Sequence, residues 1–215
     1  MITTHAAPDT SRDSEDLGPL FVWDAEDRLV GELLHMSAAH VRAIAALVHP
    51  TDIHRPTSRW VYELITQLAA DDIDPDPRDV MTAARTHTPG EHRYPDAIDI
   101  ARGRHSEYPV SDIDLAESRP HQFKKLCRYL TDVYTSHTSP FSVITYAREV
   151  LELSFRRTNK LWNERGVQMS EAMADRQDIA ALHLAMRQDM RDIWNRCEAA
   201  DAMTTLTAGS EGAAL

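Results

Sequence analysis

The chain has 215 residues, which is enough to bury one ordinary hydrophobic core without a metal or a disulfide to hold it together. Its 34 acidic and 23 basic side chains give a formal net charge of −11, which opposes tight binding to a polyanion unless the basic residues gather on one face. The two cysteines, Cys127 and Cys197, lack metal-ligand spacing and indicate reduced thiols, so we expect a cytoplasmic protein. No apolar run approaches the ~18 residues of a membrane span and no secretory signal pattern is present, so neither a membrane nor a secreted protein is expected.

Composition divides the chain into four parts. Residues 1–20 and 201–215 are mostly small and polar, and we predict disordered tails for both. Residues 21–138 are predicted to form a globular helical subdomain, with an irregular excursion at 88–118, where prolines and glycines are frequent and large apolar residues are few. Residues 139–200 are predicted to form a long helical hairpin.

Apolar residues recur with the 3.6-residue period of helices, and the alternation typical of strands is hardly seen. The prediction is an all-α fold, with a globular bundle of about six helices followed by a long antiparallel hairpin. The first helix is expected to begin near Asp24 and the second to span residues 38–49. The third begins at Pro56, and the fourth at Pro77 with Asp76 as its cap. A short helix near 96–102 and another starting near Pro120 complete the bundle.

The hairpin is predicted from the signals that start and end its two helices. Ser139-Pro140 supplies a capping hydroxyl followed by a proline in the first turn, which is a typical helix start. The first long helix is expected to end at Gly166, because a glycine can adopt a left-handed turn. The second is expected to span about 170–200, and a short turn between two long helices makes an antiparallel pair.

Motifs for catalysis are missing from the sequence. It contains no phosphate-binding loop and no nucleophile elbow, and seven glycines are too few for such backbone cradles, so we predict no enzyme and no cofactor. Four histidines, His35, His40, His49 and His54, could surround a metal, but no pair has a zinc-site spacing and we predict no metal site. The pairs Asp71/Asp72 and Asp112/Asp114 could act as acid and base only in a cleft that the sequence does not reveal, and capping and solvation in predicted loops are the favoured explanation.

Seven large apolar residues of the predicted hairpin are candidates for a protein interface: Ile144, Leu151, Phe155, Trp162, Met186, Ile193 and Trp194. Sequence alone leaves open which of them form the seam between the two helices and which face a partner. Arg156, Arg157 and Lys160 form a possible basic patch, as do Lys124, Lys125 and Arg128, although a solvated helix face is the alternative interpretation of both.

Five segments, in order, resemble the N-terminal domain of DnaB-type replicative helicases. In the first, Ala25-Glu26 precedes an aliphatic residue, Gly31 and a leucine-rich turn, as in the opening helix of that family. Similar matches follow at residues 51–63, 73–80, 129–132 and 139–157, with Ile53 in place of the usual aromatic residue. The resemblance covers about residues 22–200. The excursion at 88–118 is longer than the family normally has, and the 215 residues stop where the linker and the RecA-like motor would begin.

The resemblance implies a non-catalytic interaction module of DNA replication without helicase activity. In the family, hairpins pair between subunits, build a ring collar, and engage primase or loading factors. By analogy we expect a homodimer or higher oligomer formed through the hairpin, with a replicative helicase or primase as a further partner. Two alternatives stay open: a helical DNA-binding or regulatory protein of a plasmid, phage or chromosome, and a small enzyme with an unrecognised helical site.

Overall fold

The computed structural model describes residues 24–87, 112–135 and 143–212, with side chains at 24–87, 122–135 and 143–204. These residues form seven α-helices and one 3-10 turn, without a strand among them, so the predicted all-α fold is confirmed. The elements are α1 (Ala25–Leu33), α2 (Ala38–Ala45), the 3-10 turn (Pro50–Asp52), α3 (Pro56–Ala70), α4 (Pro77–Ala83), α5 (Asp112–Thr135), α6 (Val143–Glu171) and α7 (Arg176–Gly212). We call the elements up to α5 the head, and α6 with α7 the hairpin.

Helix starts follow local chemistry. The Asp24 carboxylate accepts the backbone N–H of Glu26 at 2.9 Å, and the Asp76 carboxylate accepts that of Asp79 at 2.8 Å. Each bond satisfies a backbone donor that has no partner inside the helix. Pro56 occupies the first position of α3, where a missing N–H costs nothing. The predicted starts of α1, α3 and α4 are therefore confirmed.

Helix α1 lies at the centre of the head and packs against α3, α5 and α6. Leu29, Val30 and Leu33 on its apolar face are fully buried. Gly31 brings α1 against α5: a Cβ at this position would lie 2.9 Å from the Val133 carbonyl oxygen. This glycine permits the close contact between the two helices.

The hairpin has two structurally different parts. In its proximal part, residues 143–157 of α6 and 192–204 of α7, Ala147, Val150, Leu151 and Ala200 belong to the same buried core as the head. In its distal part, residues 158–191, a separate small core forms around Trp162, Met169 and Leu182, which we call the distal cluster. The distal part is therefore held by contacts within the hairpin itself.

Two predicted helix ends are wrong. Helix α2 ends at Ala45 rather than His49, because the chain tightens into turns that keep Leu47 and Val48 buried. Helix α6 passes through Gly166 and ends at Glu171.

Helix α6 ends at the hairpin turn, where Met173 adopts a left-handed backbone conformation. Met173, at φ 52°, takes the left-handed position that was predicted for glycine, with the Ala174 N–H bonded to the Met169 carbonyl at 3.0 Å. Gly166 instead lies where α6 faces α7, 3.8 Å from Leu182 when a Cβ is added.

Other boundaries also differ from the prediction. Helix α5 begins at Asp112 and contains Pro120, so it enters the segment predicted as irregular at 88–118. Helix α7 begins at Arg176 and continues past residue 200, into the predicted tail. The predicted tail at 1–20, the short helix near 96–102 and the start at Ser139-Pro140 lie outside the described residues.

Candidate protein-interaction site

The hairpin joins the head through buried charges as well as apolar contacts. Glu26 of α1 is 1% exposed and accepts the backbone N–H groups of His54 at 2.8 Å and Arg55 at 3.2 Å. Arg157 reaches it from α6, with Nη1 3.2 Å from Oε1, and also donates to the Asp52 carbonyl. One guanidinium therefore bridges α1 and the 3-10 turn.

Asp27, the next residue of α1, is buried in a second cluster. It forms an ion pair with Arg55 and accepts hydrogen bonds from the Tyr129 hydroxyl at 2.8 Å and the Ser58 hydroxyl at 3.3 Å. Burial raises the pKa of Tyr129 well above its usual value, and the charge of Asp27 adds to this shift. Tyr129 therefore stays a protonated donor that ties α5 to α1.

Asp52 forms the matching contact with α7. Its carboxylate pairs with Arg196 and accepts the Ser154 hydroxyl at 2.7 Å and the His49 N–H at 2.7 Å. Arg196 also donates to the Leu47 carbonyl at 2.9 Å. Burial alone lowers the pKa of Arg196, but the hydrogen bond and charge of Asp52 raise it above its usual value. Both hairpin helices are thus hydrogen-bonded to one carboxylate of the head.

Sequence reasoning missed these polar residues, although a signal for them exists. Three of them lie on an apolar stripe at helical spacing: Glu26 lies three positions before Leu29, Ser154 three after Leu151, and Arg196 three after Ile193. A polar residue on a buried stripe needs a hydrogen-bonding partner, because leaving it unpaired costs about 1–3 kcal/mol. The pattern indicates burial, but it does not say which side chains pair.

The structure separates seam residues from surface residues among the seven interface candidates. Leu151, Trp162 and Ile193 are buried. Ile144 is partly buried against the main core, and Met186 against the distal cluster. The Trp162 indole donates to the Asp189 carboxylate at 3.2 Å. These five residues hold the hairpin together or attach it to the head.

The remaining two candidates form an aromatic pair at the surface. Phe155 is half-buried, and its ring centre lies 6.1 Å from that of Trp194 at an interplanar angle of 60°. Trp194 is 56% exposed. A large aromatic side chain with this exposure is typical of a protein interface. Trp194 is therefore the interface candidate that the structure leaves accessible.

The possible basic patch on α6 is divided by carboxylates. Arg156 lies 3.1 Å from Glu152, and Lys160 lies 3.7 Å from Glu164. Arg157 points the other way, into the junction with the head. Each of the three positive charges therefore has a negative neighbour.

Two kinds of feature are absent from the described part of the chain. Its helices include none that combines the length and the apolar character of a membrane span. Within the same residues, no three His, Cys, Asp or Glu side chains are grouped as metal ligands. Cys127 and Cys197 are free thiols.

A helical head joined to a long antiparallel hairpin is the class of fold that these residues define. No protein-family model matches the chain, and a search of the curated proteins found no match either. Among solved structures, the chain is similar to the N-terminal domain of DnaB helicase from Mycobacterium tuberculosis, with a TM-score of 0.50 and 19% sequence identity. The match covers 78% of this chain and 94% of that one. The predicted resemblance to the DnaB N-terminal domain is confirmed at the level of the fold.

Proposed function

We propose that this protein is a non-catalytic interaction module of DNA replication in the cytoplasm, related to the DnaB N-terminal domain. It acts by self-association through the hairpin, by binding a replicative helicase or primase, or by both. The observation that carries this proposal is Trp194, exposed on a helix whose position relative to the head is held by buried ion pairs. An aromatic anchor on a preorganised helix binds a partner without the cost of ordering the helix first.

The polar groups at the junction support a non-catalytic role. Glu26, Asp27 and Asp52 each face an arginine and accept further hydrogen bonds from the protein. A general acid or base needs a proton that it can exchange with a substrate, whereas these carboxylates are occupied by structural partners. Their arrangement explains the rigidity of the junction and leaves the surface of the hairpin for binding.

Binding to DNA is the alternative that competes with this proposal. Strong direct binding is disfavoured by the net charge of −11 and by the carboxylates beside Arg156 and Lys160. A steep loss of DNA affinity with added salt would favour the alternative, because it reports phosphate contacts.

Self-association is tested by light scattering across a concentration series. Trp194→Asp is compared with Val167→Asp, because Val167 is 57% exposed and lies on the outer surface of the other hairpin helix. We expect the wild type and Val167→Asp to form the same dimer or larger assembly, and Trp194→Asp to be a helical monomer. Trp162 is unsuitable for this test, since it is buried and its replacement by Asp disrupts the distal cluster.

Replication partners are tested with the same three proteins. Each is mixed with the replicative helicase and the primase of the host, and complexes are measured by calorimetry. A complex that is lost only in Trp194→Asp supports the proposal. A wild type that is monomeric and binds neither protein contradicts it and favours the DNA-binding or regulatory alternative.

A further inference from the structure

The surface of α7 carries a stripe of three arginines and one histidine that ends at Trp194. The stripe consists of five residues at successive spacings of seven, four, four and three positions: Arg176, His183, Arg187, Arg191 and Trp194. Residues at these spacings share one face of a helix. All five are exposed. We call this set the α7 stripe; it extends over about 27 Å at a rise of about 1.5 Å per residue.

The arginines of the α7 stripe differ from most of the other arginines of the hairpin; Arg165 of α6, which bonds to Gln168, also forms no ion pair with a described residue. Arg148, Arg156 and Arg196 each lie within 4.0 Å of a carboxylate. Arg176, Arg187 and Arg191 form no ion pair with any residue that the structure describes. On a protein with a net charge of −11, three neighbouring arginines without counter-charges attract an acidic surface.

An acidic surface of this kind lies on the head. Residues 71–79, the α3–α4 loop with the first turn of α4, contain five aspartates and one arginine. Ile73 at its centre is 43% exposed, and the carboxylate of the exposed Asp71 has no described partner. Only one of the aspartates, Asp72, faces an arginine from elsewhere in the described chain, Arg42 at 2.6 Å.

The α3–α4 loop has a defined conformation. The Ile73 N–H donates to the Leu68 carbonyl at 2.9 Å, and the Asp74 carboxylate accepts the Ala38 N–H at 2.6 Å. An apolar side chain flanked by aspartates is thus presented from a fixed turn. The α7 stripe presents a complementary pattern, in which Trp194 is preceded on the same helix face by Arg187 and Arg191 and followed, four positions on, by the exposed Glu198.

We propose that the α7 stripe binds the α3–α4 loop of a second copy of this chain, with Ile73 against Trp194 and the aspartates beside Arg187 and Arg191. This inference rests on the proposed self-association and specifies its geometry. Because two different surfaces meet, the contact is heterologous, and copies add head to hairpin in a ring or an open chain. Arginine and tryptophan, without lysine, match the composition of protein interfaces.

Reversing the charge of the α7 stripe or of the α3–α4 loop by mutation tests this geometry. One variant is Arg187→Glu/Arg191→Glu on the stripe, and another is Asp71→Arg/Ile73→Arg on the loop. The control is Lys124→Glu/Arg128→Glu on α5, which has the same four-residue spacing, similar exposure and the same change of charge. We expect each interface variant to weaken association by about tenfold or more, since like charges then meet, while the control stays within about twofold of the wild type.

Restoration is the decisive arm of the experiment. In an equimolar mixture of the two interface variants, the original stripe of the loop variant meets the original loop of the stripe variant. The acidic stripe of one variant also meets the basic loop of the other. Both contacts are attractive, so we expect assembly to return. A single chain with all four substitutions also regains assembly. Restoration cannot come from misfolded protein, and circular dichroism with urea titration confirms that each variant is folded.

Several outcomes would overturn the inference. Unchanged association in both interface variants, or failure of the mixture to assemble, excludes the head-to-hairpin contact. If Trp194→Asp abolishes assembly in that case, the proposed self-association stands, and Trp194 contacts a surface of the second copy other than the α3–α4 loop. A monomeric wild type contradicts the head-to-hairpin contact and the proposed self-association, whereas binding to a helicase or primase is tested separately. Binding of a labelled single-stranded oligonucleotide by monomers, lost only in Arg187→Glu/Arg191→Glu, assigns the stripe to nucleic acid instead.

Discussion

The two parts of the hairpin are stabilised in different ways. The proximal part shares the core of the head and is attached by Arg157 and Arg196, whose partners Glu26 and Asp52 are buried. The distal part relies on the distal cluster and on contacts between α6 and α7. The proximal part therefore fixes the direction of the hairpin, and the distal part presents a surface whose stability depends on two helices alone.

The largest effect is expected for Asp52→Ala. It leaves the guanidinium of Arg196 partly buried without its main partner, which we expect to lower the free energy of unfolding by about 3–5 kcal/mol. The matched control is Asp192→Ala, because Asp192 binds the same arginine at 3.0 Å but its side chain is 61% exposed. An exposed pair contributes about 0.5 kcal/mol or less, and urea unfolding of both variants measures the difference. Equal losses would show that burial of Asp52 contributes little to the attachment of the hairpin.

Next in size is Trp162→Ala in the distal part. Removing this ring from the distal cluster is expected to cost about 3 kcal/mol locally, through lost burial and a cavity. Hydrogen exchange followed by mass spectrometry should show faster exchange in residues 158–191, with the head unchanged. Equal loss of protection in α1 would mean that the two parts unfold as one unit.

Replacing each of two glycines by alanine is expected to change the free energy of unfolding in opposite directions. Gly31→Ala places a methyl group 2.9 Å from the Val133 carbonyl oxygen, and we expect a loss of about 1–3 kcal/mol. Gly166→Ala meets Leu182 at 3.8 Å, an ordinary contact, and is expected to stabilise α6 by about 0.5–1 kcal/mol. Thermal unfolding of both variants tests the pair. A destabilised Gly166→Ala would indicate that α6 and α7 approach each other more closely at this position than a 3.8 Å contact implies.

The smallest effect is expected for Met173→Gly at the hairpin turn. Met173 is in the left-handed region at φ 52° and is 91% exposed, so glycine removes backbone strain with little loss of burial. The gain is partly offset by the greater freedom of glycine in the unfolded chain, leaving roughly 0.5 kcal/mol of stabilisation. Calorimetric unfolding measures it. A loss of helicase or primase binding in this variant, without a loss of stability, would identify the exposed methionine as a binding residue.

Sequence predicted the starts of α1, α3 and α4, which have a local capping residue or a proline, better than the ends of α2 and α6. Asp24 and Asp76 act on backbone groups two or three residues away, so their role depends only on local sequence. The end of α6 depends on packing: Gly166 is accommodated against α7, and the turn occurs where Met173 can adopt a left-handed conformation. Glycine alone therefore did not identify the turn.

In the candidate site, too, local sequence identified some features and packing decided others. Periodicity identified the apolar residues of the hairpin but could not separate Trp162, which is buried, from Trp194, which is exposed. The two tryptophans look equivalent along the chain, because each lies within an apolar stripe. Only the position of the opposite helix and of the head distinguishes them.

The sequence by itself determined the helical class, the order of head and hairpin, and the resemblance to the DnaB N-terminal domain, because periodicity, caps and local motifs act over a few residues. Tertiary structure alone decided that Asp52 pairs with Arg196, 144 positions further along the chain, and that Trp194 remains at the surface. Both depend on how the helices dock in three dimensions, because a helical pattern gives the apolar face of each helix without specifying which of its residues are covered or what covers them.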